Sequence, residues 1–201
     1  MNQCETDHKS ADAEDADAAL MAAFAQGDEE AFVTLYRRYR DRMVNFARRL
    51  LGDQARAEEA AQDVFLKLYK ARDRYRPSSR FSTFIYRIAT NHCLNIRARH
   101  EHKLTDRSAV AEEVATSSAQ QTQDVERREL RQALRAALAK LPAKQRAALL
   151  LCHYEGMSYA EAAQVIAVSE SAVKSLIHRA RDRMSKELAE LMETPELNHA
   201  V

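Results

Sequence analysis

The sequence predicts an all-α protein of two helical domains joined by a flexible linker, and three observations carry this. Its 201 residues include only three Gly and three Pro, too few breakers for the many turns of a β-fold. Apolar residues recur at i, i+3, i+4 and i+7 along most of the chain, the period of an amphipathic helix. One stretch, 101–123, is rich in Ser, Thr, Gln, Ala and Glu and lacks large apolar residues at that spacing. It divides the periodic segments into two groups.

The formal net charge is +1, but the distribution matters more than the sum. Residues 1–30 hold nine acids and one Lys, whereas residues 65–100 hold nine Lys/Arg and the single acid Asp73. Cys4, Cys93 and Cys152 are scattered and odd in number, which favours neither a disulfide framework nor a zinc site. Reduced thiols in a cytoplasm are the simplest account. No apolar run approaches the ~20 residues of a membrane span, and the acidic N-terminus lacks a signal-peptide core. Neither a cofactor nor a metal is called for.

In order along the chain, residues 1–16 are polar and acidic without periodicity and read as a disordered arm. Asp17–Gln26 reads as a short helix ended by Gly27. Asp28 then caps a helix to Leu51 with Phe32, Leu35, Tyr36, Tyr39, Met43, Phe46 and Leu50 on one face. Gly52 ends it, and Asp53 starts a third, about Arg56–Arg72. Ala61, Val64, Phe65 and Leu68 give this helix a core face. Its opposite face carries Glu59, Gln62, Asp63, Leu66 and Lys70. An apolar Leu66 ringed by polar residues suits a partner site, although a solvated face has the same pattern.

Ala71–Thr83 is a basic loop through Pro77. Around it Tyr75, Phe81, Phe84 and Tyr86 interleave with Arg72, Arg74, Arg76, Arg80 and Arg87. Cations that track a backbone beside rings that stack bases suit single-stranded nucleic acid; the alternative places Phe81 and Phe84 in the core. Ser82 is the expected cap of a helix to about His100, with Ile85, Ile88, Ala89, His92 and Ile96 inside. Arg97 and Arg99 lie near its C-terminus, where cations are favoured.

After the linker, Asp124 is the expected cap of a helix to Lys140, seamed by Leu130, Leu134, Ala137, Leu138 and Leu141. Pro142 opens the next, with Leu149, Leu150 and Cys152 as core candidates, and Gly156 closes it. Met157–Met184 then reads as two helices with a tight break. Ser158 and Glu161 form a capping box, Ala162, Val165 and Ile166 give the first helix its apolar face, and the pattern resets at Ala167-Val168-Ser169. In the second helix Val173, Ile177, Ala180 and Met184 share one side, and Glu170, Ser171, Lys174, Ser175, His178 and Arg181 the other. This is a helix-turn-helix pattern. Lys174, Ser175 and His178 can enter a major groove, while Arg179 and Arg181 suit phosphates. A plain αα-hairpin with a solvated charged face has the same periodicity. The last helix reaches 191, and 192–201 is a tail.

Three stretches occur together in order: AEEAAQDVFLKLYKARDRY (57–75), FSTFIYRIATNHCLNIRAR (81–99) and the helix-turn-helix with the helix before it. On these the chain resembles the extracytoplasmic-function (ECF) sigma factors of the bacterial sigma-70 family. The resemblance implies that 17–100 is region 2, 101–123 the linker and 124–191 region 4. It implies that Glu59, Gln62, Asp63, Leu66 and Lys70 dock on the clamp helices of core RNA polymerase. It assigns −10 promoter DNA, melted and held single-stranded, to Arg72, Tyr75, Arg76, Phe81, Phe84, Tyr86, Arg87, Asn91 and Arg97. It assigns the −35 duplex to Glu170, Ser171, Lys174, Ser175, His178, Arg179 and Arg181. An anti-sigma factor is an implied further partner, and no catalysis is implied. Phe84 stands where the family usually has Trp, and Leu176 where a basic residue is usual. The rival readings are a two-domain helix-turn-helix regulator acting on duplex DNA alone and a helical protein with an acidic partner.

Overall fold

A computed structural model describes residues 16–75, 80–105 and 122–193; among them are helices and short turns and no strand. The helices are α1 (16–25), α2 (Glu29–Leu51), α3 (Gln54–Lys70), α4 (Phe81–Thr105), α5 (Thr122–Ala139), α6 (Ala143–His153), α7 (Tyr159–Ile166) and α8 (Glu170–Glu193). A single 3₁₀ turn, Arg72–Arg74, follows α3.

The start and stop signals act locally. Asp28 accepts from the N–H groups of Glu30 and Ala31 at 3.0 and 3.2 Å, and Asp53 accepts from Arg56 N–H at 2.7 Å. Each side chain satisfies donors that the first helical turn leaves unpaired. Gly52 ends α2 at φ 84°, donating to the Arg48 carbonyl at 2.8 Å. Ser158 accepts from Glu161 N–H at 3.2 Å while Glu161 Oε2 accepts from Ser158 N–H at 2.9 Å, so the capping box is complete. Ser169 Oγ accepts from Ala172 N–H at 3.2 Å and opens α8. Between α7 and α8, Ala167 turns the chain with φ 57°, a left-handed conformation that costs a residue with a Cβ about 1 kcal/mol.

Four expectations change. Helix α4 starts at Phe81, so Ser82 lies inside the first turn and is not the cap. Helix α3 stops at Lys70, and Arg72 belongs to the 3₁₀ turn. Helix α4 runs on to Thr105 and α5 begins at Thr122, so helix intrudes on both ends of 101–123; no Gly or Pro breaks α4 there. Leu130, expected in a buried seam, is 61% exposed. Helix α5 has α8 as its main neighbour, and its C-terminal half reaches the core through Ala137 and Leu138. Residues 1–15, 76–79, 106–121 and 194–201, including Arg76 and most of the arm and tail, lie outside the described residues.

Helices α2, α3 and α4 pack on one another, and α5 to α8 form a second group. Met21 and Phe24 of α1 are fully buried against the first group, and Tyr39 donates to Asp17 at 2.7 Å, tying α1 to α2. Each fully buried Leu- or Phe-sized side chain stabilises by ~1.5–3 kcal/mol. The two groups touch. Helix α4 lies against α6 and α7, α2 lies against α6, and the buried residues of both groups make one continuous apolar cluster.

Candidate nucleic-acid and polymerase interfaces

Three surfaces carry the sequence-selected residues. The first is the outer face of α3. Glu59, Gln62, Leu66 and Lys70 are exposed there, and Leu66 stands 57% open. Its neighbours Val64, Phe65 and Leu68 point inward, so the exposure of Leu66 follows from the helical period. Asp63 is half-buried beside Lys67 at 4.0 Å and His92 at 3.1 Å. His92 thus bridges α3 and α4 and is not a purely apolar core residue. Lys67 Nζ lies 2.7 Å from its Nδ1, while Nε2, 3.1 Å from the Asp63 carboxylate, is in ion-pair range without a hydrogen bond. Burial and the Lys67 charge hold the imidazole below its ordinary pKa, so it accepts from the ammonium as a neutral ring.

The second surface separates residues that the sequence grouped. Phe81 and Tyr86 are fully buried and Tyr75 nearly so. Phe81 packs edge-on against Tyr39 at 5.1 Å, and Tyr86 against Phe46 at 5.1 Å. A base cannot stack on these rings as they stand, so all three are core residues in this conformation. Burial pushes the Tyr75 and Tyr86 hydroxyls up in pKa, and both stay protonated at neutral pH. Arg72 pairs with Glu29 at 3.5 Å and lies over the Tyr69 ring at 4.9 Å, which engages it within its own helical group. Arg97 reaches the Leu50 carbonyl at 3.4 Å. Phe84, Arg87 and Asn91 do come together. They line an open cleft of about 430 Å³ with Lys67, Arg74, Ile88, His92 and Asn95, and the Arg87 guanidinium sits 5.5 Å over the Phe84 ring. Arg74 was grouped with the loop cations in the sequence, whereas Lys67 and Asn95 were not among the selected residues; Asn95 could have been found one helical turn from Asn91.

The third surface is the exposed face of α8. Glu170, Ser171, Lys174, Ser175, His178, Arg179 and Arg181 are all solvent-accessible. Lys174 pairs with Glu170 at 3.1 Å and lies 5.7 Å over the Tyr159 ring of α7. His178 lies 2.8 Å from Asp182, and Arg179 donates to the Ser175 carbonyl at 3.2 Å. Arg181 sits on a flank shared with Cys152 and Tyr159. Leu176 is half-buried against the apolar cluster; it serves packing. Helices α7 and α8 pack together, with the small residues Ala162, Ala163 and Ala180 buried.

Two family models match in the order these surfaces occur: sigma-70 region 2 over residues 35–103 and sigma-70 region 4 over residues 131–184. The chain is 30% identical over 174 residues to the ECF RNA polymerase sigma factor SigW of Bacillus subtilis, spanning 83% of this chain and 93% of that one. The chain belongs to the ECF group of the sigma-70 family. It is also 33% identical over 178 residues to the sigma factor SigM of Mycobacterium tuberculosis, spanning 89% of this chain and 87% of that one. Among solved structures this sigma factor resembles CnrH in complex with the cytosolic domain of CnrY, with a TM-score of 0.63 and 26% identity over 87% of this chain and 98% of that one. RpoE of Bartonella quintana, in complex with the anti-sigma factor NepR, gives 0.65 and 26% over 79% and 96%. The cleft and the α3 face therefore belong to region 2 of a sigma factor, and the α8 face to region 4.

Among the described residues no group of His, Cys, Asp and Glu is placed to hold a metal, and no helix is long and apolar enough to cross a membrane.

Proposed function

We propose that this sigma factor directs core RNA polymerase to its promoters through the three surfaces in distinct roles. What carries the reading is regions 2 and 4 in order, at 30% identity over 93% of a curated sigma factor. The α3 face, with Leu66 at its centre and Glu59, Gln62, Asp63 and Lys70 around it, docks on the polymerase clamp helices. Leu66 supplies apolar area and the polar rim supplies orientation.

The α8 face enters the major groove at −35. Lys174 and Ser175 reach base edges, Glu170 can accept from cytosine, and Arg179 and Arg181 hold phosphates. Tyr159 and Glu170 hold Lys174 in place before DNA arrives. At −10 the cleft takes an unpaired base. Phe84 offers the stacking ring, Arg87 and Arg74 the cations, and Asn91 and Asn95 the amides that read an edge. Stacking contributes ~1–3 kcal/mol per base, against a few kcal/mol to unstack it, so capture of a base offsets much of the cost of melting. The sigma factor performs no bond chemistry itself; it lends sequence specificity to the polymerase in the bacterial cytoplasm. An anti-sigma factor is a further partner, supported by two solved relatives whose structures are complexes, one with CnrY and one with the anti-sigma factor NepR.

Run-off transcription with purified core polymerase on a genomic library tests this. New start sites that depend on the chain are expected; core polymerase that starts at the same positions with and without it defeats the reading.

A further inference from the structure

Adjacent residues of α3 face different ways. One residue turns the helix by about 100°, so Leu66 stands outward while Lys67 meets His92 of α4. Lys67 and Ala71 at the end of α3, with Arg74 of the 3₁₀ turn, form one wall of the cleft. Phe84, Ile88, Asn91 and Asn95 form the other, at the spacing of a single stripe along α4. Three cations, Lys67, Arg74 and Arg87, line this cleft, and among the described residues no carboxylate does. Like charges gathered in a concave site draw an anion.

His92 lines the cleft too, with its side chain only 14% exposed. Its Nδ1 lies 2.7 Å from Lys67 Nζ and its Nε2 3.1 Å from the Asp63 carboxylate. The carboxylate favours the tautomer that carries its proton on Nε2, which leaves the Nδ1 lone pair to accept from the ammonium. A lysine head on its long stem is otherwise mobile; a buried ring holds this one at the cleft before any ligand arrives. One of the three ammonium donors goes to His92. Asp63 Oδ2, at 4.0 Å, is beyond hydrogen-bond reach, so two donors remain.

We infer that Lys67 binds a backbone phosphate of the unpaired −10 strand, and that His92 is the positioning residue that holds its ammonium there. A compact point charge suits a phosphate oxygen, whereas the pattern of a base edge is matched by the amides of Asn91 and Asn95. The assignment rests on the proposed −10 role of the cleft. Helix α3 then serves two partners from neighbouring positions, polymerase through Leu66 and DNA through Lys67.

The test uses holoenzyme built from core polymerase and the full chain, with fork-junction DNAs taken from several start sites mapped by run-off transcription. Lys67→Ala should bind each DNA about tenfold more weakly, by the same factor whatever the −10 sequence. The slope of log affinity against log salt should become shallower by about 0.7, the share of one phosphate on a single strand. Binding to core polymerase should stay within about threefold of wild type. His92→Leu should weaken DNA binding about fivefold, and His92→Asn, whose amide oxygen reaches close to the Nδ1 position, should return to within about twofold of wild type. In the Lys67→Ala background His92→Leu should add nothing further, because its effect runs through the lysine. Far-UV circular dichroism and thermal melts check that each variant is folded. An unchanged salt slope in folded Lys67→Ala overturns the phosphate contact, and so does a loss of core binding in place of DNA binding. Additive losses in the double variant, or a His92→Asn as weak as His92→Leu, overturn the positioning role. Phe84→Ala separates the two levels. Weaker DNA binding there beside an unmoved Lys67→Ala strikes the Lys67 assignment alone, and no effect in either strikes the −10 reading of the cleft as well.

Discussion

Leu66→Asp gives the sharpest test of the polymerase-docking face. The side chain is 57% exposed in the free protein, and burying a whole Leu side chain is worth ~1.5–3 kcal/mol. Covering the exposed part on a partner is therefore worth ~1–1.5 kcal/mol. The aspartate forfeits that and places an unpaired carboxylate in a desolvated contact, which costs ~3 kcal/mol more. The sum, ~4 kcal/mol, corresponds to about a thousandfold weaker binding. Folding should hardly change. The new carboxylate gains Lys70 at i+4 and meets Asp63 at i−3, effects of a few tenths of a kcal/mol that oppose one another. Titration of core polymerase into the fluorescently labelled chain measures the first quantity, and a thermal melt the second. Leu66→Ala should weaken binding about fivefold. Binding of the aspartate variant within threefold of wild type, with an unshifted melt, would refute the assignment of this face.

Lys174→Ala should cost ~1–3 kcal/mol of −35 affinity if it reads a base, with relaxed preference at one position; selection from a randomised −35 duplex measures both. Ala167→Gly should stabilise the chain by ~0.5–1 kcal/mol by relieving the left-handed alanine, seen as a higher urea midpoint. Arg146→Met should destabilise by ~2 kcal/mol, the worth of a charge-assisted hydrogen bond to a buried carbonyl, in the same urea assay. The His92 imidazole has a lowered pKa when folded, so the unfolded chain binds the proton more tightly. That contribution is complete above the ordinary histidine pKa and lost as pH falls through the folded one. Melting temperature should therefore drop on acidification below about pH 6.5, and drop less in His92→Gln.

Local signals were legible in the sequence. Asp28, Asp53, Ser158 with Glu161, and Ser169 sit within three residues of the groups they cap, so spacing alone identified them. Leu66 and the α8 face followed from the helical period once the inward residues were recognised. The aromatic stretch 75–86 was harder. Composition says that rings and arginines are near one another but not which rings a third helix will cover. Tyr39 and Phe46 of α2 claim Phe81 and Tyr86, and Phe84 alone of the two phenylalanines is left at the cleft. Leu130 failed in the opposite sense: its period is helical, but no further helix among the described residues arrives to bury it. Glu155 and Arg146 gave no local signal, because their partners lie 69 and 96 residues away.

Glu161 divides its two oxygens between tasks: Oε2 closes the first turn of α7, and Oε1 meets Arg80. Losing the arginine therefore does not unravel the helix start. The helix-turn-helix therefore keeps its leading turn by its own residues, with no refolding step to slow its first encounter with a promoter.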